Sequence, residues 1–219
     1  MTDAGVLPLF PLNLVLFPGM PLPLHIFEPR YRAMVEHCLD TRSGFVVALS
    51  RDEPGHEDGA FDWATVASIE QVVRFPDGRM NILTLGQHRV RLLDRVQGAP
   101  FPQARVVAVP DEEPDRGGER IGRLRDAYRE YASLMGRLAA LPLPDELPDE
   151  PERASWVAAW ALQTDLFAKQ RFLECPGALE RLAAVGERIE EELERLRGFA
   201  ASLEGQGYFF VRGMRFSRN

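Results

Sequence analysis

Apolar residues near the start of the chain first follow the spacing of a strand and then that of a helix. Residues 7–17 are mostly apolar but contain two prolines, which cannot donate to a sheet ladder, so we predict an edge or bulged strand. A Pro18-Gly19 turn and further prolines predict an extended crossover over residues 20–28. Pro29 suits a helix start, and the spacing that follows predicts one buried helix face, formed by Tyr31, Met34, Val35, Cys38 and Leu39.

Short strand patterns separated by turns follow this helix. A switch in apolar parity between Val66 and Ile69 predicts a bulge. On the fourth of these strands, Arg89 is predicted on the polar side together with Arg91 and Arg95. A meander of this kind predicts a small barrel. The predicted strands cover residues 45–49, 64–75, 80–85, 88–96 and 103–109, with an exposed loop at 51–62 and turns at 76–79 and 86–87.

The pattern becomes helical after a linker at residues 110–118 that is rich in proline, glycine and acid. One long amphipathic helix is predicted over residues 121–138, prolines interrupt residues 141–151, and a second helix is predicted over 156–167. A third begins near Pro176 and continues to residue 196. We therefore predict two domains, a barrel over residues 1–113 and a helical domain with a C-terminal tail over 114–219.

Several pieces of the first part occur together in one known family. They are Pro8-Leu9-Phe10-Pro11-Leu12, Leu16-Phe17-Pro18-Gly19, Ile26-Phe27-Glu28-Pro29-Arg30-Tyr31 and Gly86-Gln87-His88-Arg89-Val90-Arg91, followed by an acidic run at residues 111–113. In this order and spacing they resemble the N-terminal domain of the Lon protease family. The resemblance covers residues 7–113 with specific motifs. It implies an α+β fold, in which a PUA-like β-barrel is followed by an α-helical domain.

The resemblance also implies a binding role, because this domain is associated with substrate recognition in Lon. The expected function is a non-catalytic peptide- or protein-binding module that acts as a proteolysis adaptor. Its expected partners are unfolded or tagged proteins, together with a protease or a chaperone. An RNA-related PUA-like module is the alternative, since PUA-type barrels often contact RNA, and the arginine-bearing tail at residues 205–219 is its support.

Composition narrows these alternatives. The net charge of −7 argues against a general nucleic-acid binder. No apolar run is long enough to span a membrane, and the first residues lack the basic start of a signal peptide, so we expect a cytoplasmic protein. Cys38 and Cys175 are too few for a disulfide framework, and we expect both to be reduced, structural thiols.

No motif for catalysis or for cofactor binding is readable in this sequence. Lys169 is the only lysine, and it has neither the preceding glycines nor the following hydroxyl residue of a phosphate-binding loop. The same residue lacks the context of a serine–lysine dyad. The four histidines do not follow metal-ligand spacings. We expect no enzyme activity, no cofactor and no metal, and in this respect the chain resembles a Lon N-terminal domain without its ATPase and protease modules.

The candidate binding site is the proline-rich crossover. Apolar residues at alternate positions are expected to line pockets, and the charged residues that follow are expected to fix the polarity of a bound peptide. An extended peptide would then add as a strand to the interrupted edge. The alternative is that the segment only closes the barrel. The predicted peptide-binding residues are Met20, Leu22, Leu24, His25, Glu28 and Arg30.

This chain is predicted not to hydrolyse ATP, because its one lysine cannot serve a phosphate-binding loop. Release of inorganic phosphate from ATP should equal that of a heat-denatured control. ATP turnover that disappears on Lys169→Ala would overturn the prediction.

Overall fold

The computed structural model describes residues 4–51, 59–96, 100–111, 118–141, 143–205, 208–211 and 214–217. Two compact units are present. The first comprises Met1–Pro110 with Thr164–Glu174, and the second comprises Asp111–Gln163 with Cys175–Asn219. The domain division predicted at residue 113 stays a prediction, and the compact units differ from it in that residues 164–174 group with the sheet. Most of the predicted loop at 51–62 and linker at 110–118 lies outside the described residues.

A six-stranded mixed sheet forms most of the first unit. Its strands are β1 (Gly5–Leu12), β2 (Pro21–Ile26), β3 (Phe45–Ser50), β4 (Ala60–Arg74), β5 (Met80–Val96) and β6 (Gln103–Ala108). The order is β2-β5-β4-β3-β1-β6, and β6 also pairs with β5. β1 and β3 are parallel, and the other pairs are antiparallel. The β5–β6 pairing therefore closes a ring of paired strands, β5-β4-β3-β1-β6. Strand β2 pairs only with β5 in this sheet and lies outside the ring.

Helix α1 (Pro29–Thr41) covers one side of the sheet. It begins at the predicted proline and ends where Arg42 adopts a left-handed conformation, with φ of 54°. The predicted apolar face is confirmed, because Tyr31, Met34, Val35 and Cys38 are buried and Leu39 packs against the same cluster. The ring centroids of Phe10 and Tyr31 lie 4.2 Å apart, which joins α1 to β1. The predicted irregularity of β4 is also present, as register shifts against β5.

The segment between β1 and β2 corrects two predictions. β1 ends at Leu12, so the predicted strand over residues 7–17 is too long, and residues 13–20 are irregular. Val15, Leu16 and Phe17 are nevertheless buried, and Thr65 Oγ1 donates to the Leu16 carbonyl over 2.6 Å. The segment is thus held by side-chain packing and by hydrogen bonds from other strands. Residues 21–26, predicted only as extended, form the strand β2.

Gly86 was predicted as part of a turn, but it lies within β5, next to a register shift against β4. A Cβ at this position would overlap the carbonyl oxygen of Phe17. The Gly86 N–H donates to the Met20 carbonyl over 3.0 Å, and the Gly19 N–H donates to the Gly86 carbonyl over 2.8 Å. Glycine is therefore required here because two backbones approach closely, which is a common reason for a glycine inside a strand.

Arg89 corrects the predicted polar face of β5. Its side chain is buried, and its guanidinium donates to the carbonyls of Val109 and Leu173 over 3.0 Å each. The same group lies 5.1 Å from the centroid of the Trp63 ring. Leu173 belongs to α4 (Leu166–Glu174), so Arg89 attaches this helix to the sheet. A buried charge is tolerated here because carbonyl oxygens accept hydrogen bonds from its donors.

The second unit is built on three helices, α2 (Gly118–Ala139), α3 (Pro151–Ala161) and α5 (Ala178–Gly205). The predicted helix over residues 156–167 is in fact two helices. Asp165 caps the start of α4, because its side chain accepts a hydrogen bond from the Ala168 N–H at 2.8 Å. A new helix therefore begins here, although the apolar spacing continues through this point. The tail contains an antiparallel pair, β7 (Tyr208–Val211) with β8 (Met214–Ser217).

A buried arginine also stabilises the second unit. Arg181 is fully buried, forms an ion pair with Asp111 and donates to Ser155 Oγ over 2.8 Å. Its guanidinium carbon lies 3.1 Å from the centroid of the Trp156 ring. The charge is therefore compensated by a carboxylate, a hydroxyl and an aromatic face, which is what burial of an arginine requires.

Arg89→Met is expected to lower the free energy of unfolding of the first unit by about 3 kcal/mol, because buried carbonyls lose their donors. Amide hydrogens of α4 should also exchange faster. Arg91→Met, at an exposed position of the same strand, is the control and should change neither quantity. Equal effects of the two substitutions in urea unfolding and hydrogen exchange would show that Arg89 does not hold α4.

Candidate functional site

The structure separates the six residues predicted to bind peptide. Leu22 is buried, and Met20 and Leu24 are half-buried against the core cluster beneath α1. Glu28 precedes α1 and accepts a hydrogen bond from Arg30 Nε at 3.1 Å. His25 is exposed, and the side chains of Glu28 and Arg30 are 41% and 37% exposed. The pleat of β2 directs Leu22 and Leu24 inward and leaves His25 outside.

Cross-strand registers show which residues share the solvent side of the sheet with His25. His25 lies opposite Asn81 of β5, and Asn81 lies opposite Val73 of β4. Two residues further along each strand, Pro23 lies opposite Leu83, and this pair points to the same face of the sheet. Because residues paired across strands point to the same face, these side chains form one continuous surface.

Aromatic side chains extend this surface. The His25 ring centroid lies 6.1 Å from that of Phe27 and 6.2 Å from that of Phe75. Phe27 is 59% exposed, Val73 58% and Phe75 36%. Clustered exposure of large apolar side chains is typical of binding surfaces. We call this surface the outer face and define it by Pro23, His25, Phe27, Val73, Phe75 and Leu83.

Charged residues near the outer face are paired with one another. Arg74 Nη2 lies 2.8 Å from Glu36 Oε2, and Arg79 Nε lies 2.7 Å from Asp77 Oδ2. The hydrogen bond from Arg74 holds the pKa of Glu36 below its usual value. The backbone N–H of Arg79 and then its side chain do the same for the pKa of Asp77. The Glu28–Arg30 pair also joins opposite charges. Arg32 lies beside the hairpin as well, where its guanidinium donates to the Asp77 carbonyl over 3.2 Å. Most charged groups around the outer face are thus compensated, which leaves little attraction for a charged ligand.

A hydrogen bond to Asn81 orients the His25 ring. Its Nδ1 lies 2.6 Å from Asn81 Oδ1. An amide oxygen only accepts, so with this amide orientation Nδ1 carries the proton and Nε2 of the neutral ring is the acceptor. Nε2 is then the side-chain atom through which His25 can accept a hydrogen bond from a ligand in the aromatic cluster.

The remaining candidate chemistry is limited in the part of the chain that the structure covers. Cys38 is buried, and burial raises the pKa of its thiol, which makes it a poor nucleophile. Burial lowers the pKa of Lys169. Among the described side chains, no three of His, Cys, Asp and Glu come together as metal ligands. No described helix is both long and apolar enough to cross a bilayer.

Sequence reasoning missed Phe27, Val73, Phe75 and Leu83 as surface residues. Val73 and Phe75 were read only as members of the strand predicted over residues 64–75, and neither was assigned to a face. A signal was nevertheless present: Val72 and Val73 are adjacent, and adjacent strand residues point to opposite faces. One of the two had to face away from α1, and the structure shows that Val73 does.

The fold is that of a Lon N-terminal domain. A crystal structure of a Lon N-terminal domain protein from Xanthomonas campestris matches 82% of this chain and 95% of its own, with a TM-score of 0.62 and 26% identity. The N-terminal domain of a Lon protease from the Mycobacterium avium complex covers 85% of this chain and 98% of its own, with a TM-score of 0.63. Its identity of 18% makes that likeness one of fold alone.

Residues 6–191 match the family described as the ATP-dependent protease La (LON) substrate-binding domain, and this chain belongs to that family. The Lon protease of Paraburkholderia phytofirmans is 31% identical over 203 residues, which cover 84% of this chain. The Lon protease of Cytophaga hutchinsonii is 27% identical over 207 residues, or 88% of this chain. The chain spans about a quarter of the length of these relatives. The resemblance inferred from the sequence motifs is thereby confirmed.

Leu22→Ala is expected to lower the free energy of unfolding by about 2–4 kcal/mol, because it leaves a cavity in the core. Phe27→Ser should change it by less than about 0.5 kcal/mol, because most of the ring is in water. Chemical denaturation followed by tryptophan fluorescence would measure both. A large loss for Phe27→Ser would mean that this ring is part of the core rather than a free surface.

Proposed function

We propose that this chain recognises unfolded segments of protein substrates on the outer face. The observation that carries the proposal is the exposed cluster of Phe27, Val73 and Phe75 around His25. Such a surface is costly to expose to water, and binding of apolar side chains would remove part of that cost. Membership of a substrate-binding domain family supports the same role.

Apolar side chains of an unfolded segment are the ligand chemistry that this surface fits. The nearby carboxylates and guanidinium groups already satisfy one another, so they contribute little steering. Flat rings with few rotatable bonds give contact area at a small entropic cost. Folded proteins bury the matching side chains, and therefore the outer face discriminates unfolded from folded chains without reading a particular sequence.

We further propose that the chain does not catalyse a reaction and acts as an adaptor that presents substrates to a protease or a chaperone in the cytoplasm. The outer face holds no nucleophile, and its one titratable side chain, His25, has only an amide beside it. Catalysis would require a nucleophile, a base and an orienting group in mutual contact. Two cysteines outside any disulfide support a reducing compartment.

The test compares a pair of exposed aromatic residues on the outer face with one exposed aromatic residue of α4. Phe27→Ser with Phe75→Ser should weaken binding of a reduced, carboxymethylated protein about tenfold, or roughly 1.4 kcal/mol. Phe167→Ser removes an even more exposed ring from α4 of the same unit and should have less than about a twofold effect. Affinity would be measured by fluorescence anisotropy on variants with unchanged thermal unfolding.

Two further measurements sharpen this test. Raising the salt concentration should not weaken binding, because no ion pair between protein and substrate is involved. An excess of RNA should not displace the unfolded protein. Equal losses for the two sets of variants, or displacement by RNA, would contradict the proposed function.

A further inference from the structure

We infer that substrate segments bind the outer face through their side chains alone and do not add a strand to the free edge of β2. This inference rests on the proposed function and specifies how the surface reads its ligand. It also replaces the strand addition expected from the sequence, in which the prolines were taken to leave backbone groups ready for a peptide. The positions of Pro21 and Pro23 in the ladder decide between the two modes of binding.

The register of β2 against β5 determines which backbone groups face outward. The Gly86 N–H donates to the Met20 carbonyl, so Met20 is a residue whose backbone points toward β5. Antiparallel strands alternate residue by residue, and therefore Leu22 and Leu24 also point toward β5. Thr84 Oγ1 donates to the Leu22 carbonyl over 2.8 Å, in agreement with this direction. The backbone groups of the intervening residues face the free edge.

Those intervening residues are Pro21, Pro23 and His25. A proline has no N–H, so of these three residues only His25 can donate a hydrogen bond from the edge. Strand addition needs donors and acceptors in alternation along the edge. Here the carbonyls of both prolines remain while the matching donors are missing, and an added strand would leave its own carbonyls unpaired.

The edge is also too short to compensate. On one side, the Met20 N–H donates to the Phe17 carbonyl over 3.1 Å, so the chain already turns before Pro21. On the other side, α1 begins at Pro29, directly after Glu28. The strand therefore offers six residues, and prolines occupy two of its three outward positions. Prolines on an edge strand commonly protect it against pairing with other chains.

The apolar side chains lie where a ligand above the sheet would meet them. Val73 belongs to β4, two strands away from the edge, and Phe75 follows it in the hairpin. A strand added beside β2 would continue the sheet outward, away from Val73. A segment lying across the outer face contacts side chains from β2, β5 and β4 together. The ligand class is consequently defined by apolar side chains and not by its main-chain hydrogen-bonding groups.

Backbone N-methylation separates the two modes of binding. The probe is a short labelled peptide in which Phe and Leu alternate with Ser, compared with two analogues, one N-methylated at the apolar residues and one at the serines. An added strand directs only alternate amides toward its neighbour, so one analogue must then lose its hydrogen bonds. We expect both analogues to bind within about fivefold of the parent peptide.

A gain-of-function variant provides the matched control. Pro21→Val with Pro23→Val supplies two N–H groups at outward positions. It keeps an apolar side chain at Pro23 of the outer face and leaves His25, Phe27 and Phe75 unchanged. In this variant the parent peptide should bind about tenfold more tightly, and one N-methylated analogue should lose that gain. Size-exclusion chromatography at the assay concentration would verify that the variant is a single species.

The outcomes distinguish this inference from the proposed function. A loss of more than about fivefold for either analogue on the unmodified protein overturns side-chain-only recognition. If that binding still depends on Phe27 and Phe75, the proposed function stands. A proline variant with no gain and no sensitivity to N-methylation overturns the role assigned to Pro21 and Pro23, because the prolines would not be what excludes main-chain pairing. Parent binding that is indifferent to Phe27→Ser with Phe75→Ser removes the proposed function and this inference together.

Discussion

The close approach of the Phe17 carbonyl to Gly86 is the constraint on which the first unit depends. It holds the irregular segment after β1 against the middle of β5, at the place where β5 exchanges one partner for another. Before Gly86, β5 pairs with β2, and after it β5 pairs with β6. Any side chain at this position would force the two backbones apart. The ring of strand pairings and the exclusion of β2 from that ring both follow from this contact.

Exclusion of β2 produces the outer face. Strands β2, β5 and β4 have their inner side covered by α1, which buries Leu22 and Ile26. Their other side is left to solvent, and there the chain places aromatic and aliphatic residues where polar ones would be the rule. An exposed apolar surface beside a free strand edge is ordinarily a site of aggregation. Pro21 and Pro23 remove that hazard at the edge and leave the surface itself available for binding.

The candidate site was only partly predictable. His25 was identified because it is polar within an apolar, proline-held segment, and the structure places it at the centre of the aromatic cluster. Leu22 was assigned to the site by its alternation with Met20 and Leu24, and the alternation is real. The pattern could not show whether those three residues faced a ligand or the core, because a period of two is the same on either side of a strand.

The sequence by itself determined the features that depend on neighbours along the chain. Helices α1, α2 and α5, the hairpin between β4 and β5, and membership of the Lon substrate-binding domain family were all readable from spacing, caps and local motifs. Only the tertiary structure decided the features that depend on distant groups. Arg89 is buried because the carbonyls of Val109 and Leu173 come to it, and Gly86 lies within a strand because Phe17 packs on it. Such contacts join residues far apart in the chain, and they form only when the whole sheet has assembled.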